Sequence, residues 1–114
     1  MPFIDVKTTV KIDESREATL TREFGKIITL IPGKTERWLM LNFSDECRMA
    51  FAGNKDSETA FVTVELLGTT TNAVYDELTS AITDTVSNTL EVNPERIYVK
   101  YAEFSHWGYA GENF

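Results

Sequence analysis

Two stretches of the chain repeat each other, and this limits the folds open to it. Phe3-Ile4-Asp5-Val6 lines up with Phe61-Val62-Thr63-Val64 at a spacing of 58. Thr35-Glu36-Arg37, followed by Trp38-Leu39-Met40-Leu41, lines up with Pro94-Glu95-Arg96, followed by Ile97-Tyr98-Val99-Lys100, at a spacing of 59. Between the matched pieces of the first half, Leu20, Phe24, Ile27, Ile28 and Ile31 fall at helical period, and Pro32-Gly33 ends the run. Asp13 or Ser15 is placed to cap this helix, with acidic residues near its start. In the second half Val74, Leu78, Ala81, Ile82 and Val86 form the same kind of stripe within residues 72–88. Each half therefore reads as strand, helix, strand, and a crossover of this length makes its two strands parallel. Two copies suggest a duplicated β-α-β unit rather than a solenoid. The predicted fold is α/β (α+β): one domain over residues 1–114, with a four-stranded mixed sheet and both helices on one face. Its pseudo-repeats are about 2–43 and 60–102, followed by an aromatic tail over 103–114.

The strands are predicted near 2–10, 38–43, 60–67 and 97–102, and the very apolar run Trp38–Phe43 reads as a strand buried on both faces. Alternation puts Ile4, Val6, Leu39, Leu41, Val62, Val64, Leu66, Ile97 and Val99 toward the helices. The opposite face then carries Phe3, Asp5, Trp38, Met40, Asn42, Phe61, Thr63, Glu65, Leu67, Tyr98 and Lys100. So many large apolar groups need a cover, and with no third layer in the chain another subunit is the simplest one.

Composition narrows the partners. A net charge of −7 disfavours nucleic acid and anionic membranes, both of which reward basic surfaces. No apolar run is long enough to span a bilayer, and the start lacks the basic-then-apolar pattern of a signal peptide. The expected compartment is the cytoplasm, with export by a route that needs no signal peptide left open. Cys47 is the only cysteine and His106 the only histidine, so neither a disulfide nor a metal site is expected. No cofactor is expected.

The chain opens Met1-Pro2-Phe3. A start methionine before proline is normally trimmed, which leaves Pro2 with a free secondary amine on a rigid ring. Held in an apolar pocket, such an amine resists protonation and can act as a general base near neutral pH. On position alone, Lys34 complements the dipole at the end of the first helix, and Tyr98 and Trp38 read as core or interface aromatics.

Taken together, four features resemble the macrophage migration inhibitory factor family of the tautomerase superfamily. They are Pro2 opening a strand, Gly33-Lys34 after the first helix, Met49-Ala50-Phe51-Ala52-Gly53, and the pair Asn93-Pro94-Glu95-Arg96-Ile97-Tyr98-Val99 and Gly108-Tyr109-Ala110-Gly111-Glu112-Asn113-Phe114. The likeness runs the full length, with a short gap between Glu103 and Gly108. It implies a homotrimer with a pocket at each subunit interface, and a keto–enol tautomerase acting on phenylpyruvate-like α-keto acids. Pro2 then matches the catalytic proline and Lys34 the lysine that binds the substrate carboxylate. Tyr98 matches a tyrosine supplied by a neighbouring subunit. Leu67 stands where the family uses a backbone amide beside the proline. Trp38 replaces a tyrosine in the pocket wall, and Phe3, Tyr109 and Phe114 supply further wall.

Two positions depart from the family's pattern: an asparagine is replaced by Lys100 and a histidine by Glu65. Lys100 and Glu65 are placed to pair across the barrel; alternatively, Lys100 adds charge at the pocket and favours a more anionic substrate. Thr59 and Val62 stand where some relatives carry a redox Cys-x-x-Cys, so that activity is not expected. Two other functions stay open. One is a cytokine-like module that binds a protein partner and keeps a vestigial pocket. The other is hydration or decarboxylation of a small anionic acid by the same proline, for which relatives show extra arginines; Arg37 is the only arginine near the pocket residues.

Overall fold

The structure, a computed structural model, describes residues 1–114. Strand β1 (Pro2–Thr8) is followed by helix α1 (Glu14–Ile27), a 3-10 turn over Ile28–Leu30, another over Glu36–Trp38, and β2 (Met40–Ser44). The second half runs β3 (Ala60–Leu67), α2 (Asn72–Leu90), a 3-10 turn over Pro94–Arg96, and β4 (Ile97–Phe104). A small hairpin of β5 (Gly108–Tyr109) and β6 (Glu112–Asn113) closes the chain. Both halves are thus strand, helix, strand, as the repeat implies, and a 3-10 turn precedes the last strand of each.

The sheet order is β2-β1-β3-β4. Each half supplies a parallel pair, β1 with β2 and β3 with β4, and the antiparallel pairing of β1 with β3 joins the halves. Asp13 caps α1 by accepting from the Arg16 amide at 2.8 Å, and Thr71 caps α2 from the Val74 amide at 3.3 Å. Strand β1 stops at Thr8, two residues short of expectation. There the Thr8 hydroxyl donates to the Thr59 carbonyl and accepts from the Val10 amide, which turns the chain out of the sheet.

Helix stripes and sheet face share one core. Leu20, Phe24, Ile27, Ile28 and Ile31 meet Leu78, Ile82 and Val86 over Ile4, Val6, Val62 and Val64. Both helices therefore cover the predicted sheet face. The segment Trp38–Phe43 corrects the sequence reading: it is not a strand buried on both faces. Trp38 ends a 3-10 turn, β2 begins only at Met40, and β2 is an edge strand with no fully buried residue. The helices cover one side of it, where Leu39, Leu41 and Phe43 pack on the core, and Met40 on the other side is 68% exposed.

The uncovered sheet face is partly polar. Asp5 accepts from Lys7 and from the Asn42 side-chain amide. Burial works to raise its carboxyl pKa, but these contacts outweigh burial and hold it below its ordinary value. Glu65 and Lys100 are not partners within the chain: Glu65 lies opposite Phe3 and Ala102, whereas Lys100 lies opposite Thr63 with its ammonium 5.5 Å from the centre of the Phe61 ring. Tyr98, 58% exposed, packs edge-on against Phe51 and Phe61.

Arg96 holds the loop that supports Tyr98. Its guanidinium donates to the carbonyls of Glu58, Asn54, Ser57 and Phe51 and lies 5.4 Å from the centre of the Phe51 ring. Arg96→Ala is expected to cost about 2 kcal/mol, since several charge-assisted bonds are lost from a half-exposed site. Arg96→Lys should recover little of it, because a point charge cannot serve four carbonyls. Urea denaturation measures the cost, and hydrogen exchange should show faster opening across residues 51–58; unchanged stability and exchange would refute the clamp.

Candidate active site

The candidate site begins where the two halves meet. β1 starts at Pro2, which lies opposite Leu66 of β3 and is buried. Proline suits the first residue of a strand, where no backbone donor is required of it. One residue further on, the Leu67 amide donates to the Met1 carbonyl at 3.2 Å, so that N–H points at the Met1–Pro2 peptide.

Lys34 arrives from the end of the first helical segment. Gly33 adopts φ +83°, a left-handed conformation that costs glycine little, and the Lys34 amide closes the turn onto the Ile31 carbonyl. The side chain then crosses to β3, where its ammonium donates to the Leu67 carbonyl at 2.8 Å. The α-amine of Met1 lies beside it. Burial, then a hydrogen bond with Lys34 and the charge of Lys34, push the pKa of that amine down from 8.0 to about 6.

A groove of about 500 Å³ opens over this end of the sheet. Met1, Pro2 and Phe3 form its floor. One wall comes from the turn before β2, with Arg37, Trp38, Leu39 and Met40, and the other from the C-terminal hairpin, with Trp107, Gly108 and Tyr109. Trp38 and Tyr109 meet edge to face with centroids 5.1 Å apart, which joins the walls. Phe114 stacks behind Tyr109 at 6.0 Å. The turn carrying Arg37 and Trp38 is seated on α1 because the Glu36 side chain packs onto Gly25, where a Cβ would collide with it.

The structure brings Pro2, Phe3, Trp38 and Tyr109 into one groove, with Lys34 and Leu67 at its Pro2 end and Phe114 just behind. It does not bring in Tyr98 or Lys100. Tyr98 lies opposite Phe61, five residues along β3 from the partner of Pro2, which is roughly 16 Å at strand rise. Within one subunit Tyr98 is out of reach of Pro2.

Arg37, Met40 and Trp107 line the groove as well, although the resemblance assigns none of them to the pocket wall and alternation only places Met40 on the same sheet face as Phe3 and Trp38. In a strand Arg37 and Trp38 would point to opposite faces. In the 3-10 turn, at about three residues per turn, they diverge by only about 120°, and both line the groove. Trp107 belongs to the aromatic tail, and that tail becomes a wall only because the hairpin folds back.

The groove can hold an apolar or aromatic body, with a cation and a backbone N–H close to a terminal nitrogen of low basicity. Such a set can move a proton next to a carboxylate. A search of curated proteins finds no match to the chain. A family model described as macrophage migration inhibitory factor (MIF) matches residues 1–113. Among solved structures, MIF2 of Leishmania major is similar with a TM-score of 0.93 and 32% identity, covering 100% of this chain and 97% of that one. The macrophage migration inhibitory factor of Toxoplasma gondii shares the fold at 22% identity, with a TM-score of 0.89 and coverage of 98% and 99%. So does N1, a member of the cis-3-chloroacrylic acid dehalogenase family, at 20% identity, with a TM-score of 0.83 and coverage of 96% and 81%. Since the family model takes in nearly every residue and the Leishmania protein is alike from end to end, the chain belongs to the macrophage migration inhibitory factor family of the tautomerase superfamily.

Proposed function

We propose that the chain, once Met1 is removed, is a keto–enol tautomerase of phenylpyruvate-like α-keto acids with Pro2 as its single acid–base group. One observation carries this reading. The Met1–Pro2 peptide lies on the floor of an aromatic groove, and the Lys34 ammonium and the Leu67 amide converge on that same point.

Loss of Met1 changes three things at once. The Pro2 nitrogen turns from a non-basic amide into a secondary amine. The Leu67 N–H loses the Met1 carbonyl as its acceptor and becomes free to donate to substrate. Lys34 loses the neighbouring Met1 amine and gains room for a carboxylate. The forces that depress the Met1 amine, burial and then Lys34, act on the same corner, and they favour a neutral Pro2 amine before substrate arrives.

The chemistry then balances on one proton. The Pro2 nitrogen removes a proton from C3 of the keto acid, and the C3–H electrons form the C2–C3 double bond as charge moves to oxygen. The protonated nitrogen returns the proton to that oxygen, giving the enol; ketonisation is the reverse. Lys34 holds the carboxylate, and Phe3, Trp38 and Tyr109 take the aromatic ring. The freed Leu67 N–H is a donor for developing charge. Tyr98 would be a second donor, but only from a neighbouring subunit. The reading therefore includes a homotrimer in which the exposed sheet face of one subunit covers the next; sedimentation should give a particle of about three times the 12.9 kDa subunit.

Processed protein is expected to speed phenylpyruvate ketonisation. Pro2→Gly, or one alanine inserted before Pro2 so that its nitrogen stays acylated, should lower kcat/KM by about 10²-fold with circular dichroism unchanged. Full activity in the insertion variant would remove Pro2 from the mechanism. Turnover of cis-3-chloroacrylate with none of phenylpyruvate would favour hydration at the same site.

The unprocessed chain provides a pH test. Its Met1 amine should titrate near 6 by NMR after isotopic methylation. Lys34→Ala should raise that midpoint only partway toward 8.0, because burial is the larger cause. The unfolded chain binds this proton more readily, so stability is full above pH 8.0 and falls as the pH drops through about 6. A midpoint at 8.0 in the wild type would place the amine in open solvent.

A further inference from the structure

Arg37 adds a cation to the groove that the chemistry above does not use. Its guanidinium carbon lies 5.0 Å from the centre of the Trp38 ring, on the groove wall. The chain's ion pairs are Lys7–Asp5, Arg16–Glu91, Arg22–Glu23 and Lys26–Glu23, and none includes Arg37. The nearest carboxylate in sequence, Glu36, is turned away onto Gly25. A chain with 18 acidic residues thus leaves one arginine facing an apolar groove with its donors free.

The repeat supplies an internal comparison. Arg96 is the counterpart of Arg37, on the equivalent 3-10 turn of the second half. Arg96 is engaged by four loop carbonyls. Arg37 has no such loop, and its contact with the Trp38 ring holds the planar fork in place without using its N–H donors. Lys34 is tied to the Pro2 end through the Leu67 carbonyl, whereas Arg37 belongs to the Trp38 wall. Arg37 therefore stands on the groove wall, while Lys34 stands behind Met1 at the Pro2 end, where removal of Met1 would open the groove to it.

We propose that the groove selects α-keto acids bearing a second carboxylate on the C3 substituent, with Lys34 taking the carboxylate beside the keto group and Arg37 taking the second one. A guanidinium donates two parallel N–H bonds to a carboxylate, which suits Arg37 to this end. Because it is exposed, screening limits the gain, and about tenfold in preference is expected. This inference rests on the tautomerase reading for its catalytic form but not for its binding form.

The test compares phenylpyruvate with its para-carboxy analogue on processed protein. Wild type should favour the diacid in kcat/KM, and Arg37→Gln should shrink the diacid-to-monoacid ratio about tenfold, with part of it restored by Arg37→Lys. Calorimetry of both acids with a Pro2→Gly background should show the same ratio change in Kd. An Arg37-dependent affinity ratio without turnover of either acid would sink the tautomerase reading and leave the second anion subsite standing. Turnover with a ratio that Arg37→Gln leaves unchanged, or equal losses for both acids, would overturn this proposal alone.

Discussion

The antiparallel pairing of β1 with β3 is the contact on which the site depends. It is the one strand pairing that joins the two halves, and it sets Pro2 opposite Leu66. That register leaves Leu67 just beyond the end of β1, so its amide and carbonyl face the Met1–Pro2 peptide and the Lys34 ammonium. A slip of one residue would send either Ile4 and Val6 or Val62 and Val64 out of the core, since side chains alternate between faces. The hydrophobic core thus fixes the register, and the register fixes which backbone groups meet the terminal nitrogen.

Desolvation is the second constraint. Burial is the largest cause of the low basicity of the Met1 amine, with Lys34 contributing after it. An amine in that corner is neutral at a pH where an exposed terminus is largely protonated. The walls that produce this burial are anchored separately. The Arg37–Trp38 turn rests on α1 through Glu36 and Gly25, while the hairpin is closed by the Phe114 amide donating to the Trp107 carbonyl at 2.9 Å. The Trp38–Tyr109 contact then ties them together.

Much of the fold was legible in the sequence because it is written in periods. Helical stripes and alternating strands gave both helices, the β3 limits and the helix-facing residues, and the duplication gave the parallel pairs. What escaped was governed by three dimensions. Strand alternation could not foresee that Trp38 ends a 3-10 turn, since Trp38–Phe43 is as apolar as a central strand; only its place at the sheet edge leaves Met40 in the open. For the same reason sequence position puts Arg37 only near the pocket, whereas it lines the groove. Tyr98 is a different case: the resemblance assigns it to a neighbouring subunit's pocket, and within its own chain the register puts it at the other end of β3 from Pro2.

The duplication makes the site's asymmetry informative. Two copies of one unit begin with the same contacts available, so a position that serves the fold should be filled alike in both. The start of β1 and the start of β3 are not: Pro2 stands in one and buried Ala60 in the other, and β3 forms without proline. The arginines after the crossovers are alike in residue but not in surroundings. Arg96 is surrounded by carbonyls of the loop over residues 51–58, whereas the corresponding side of Arg37 is the groove. In both cases the second copy shows what the fold requires, and the first copy departs from it at the groove. Pro2 at the head of a strand and a guanidinium outside every ion pair are the two departures, and they lie in the same cavity.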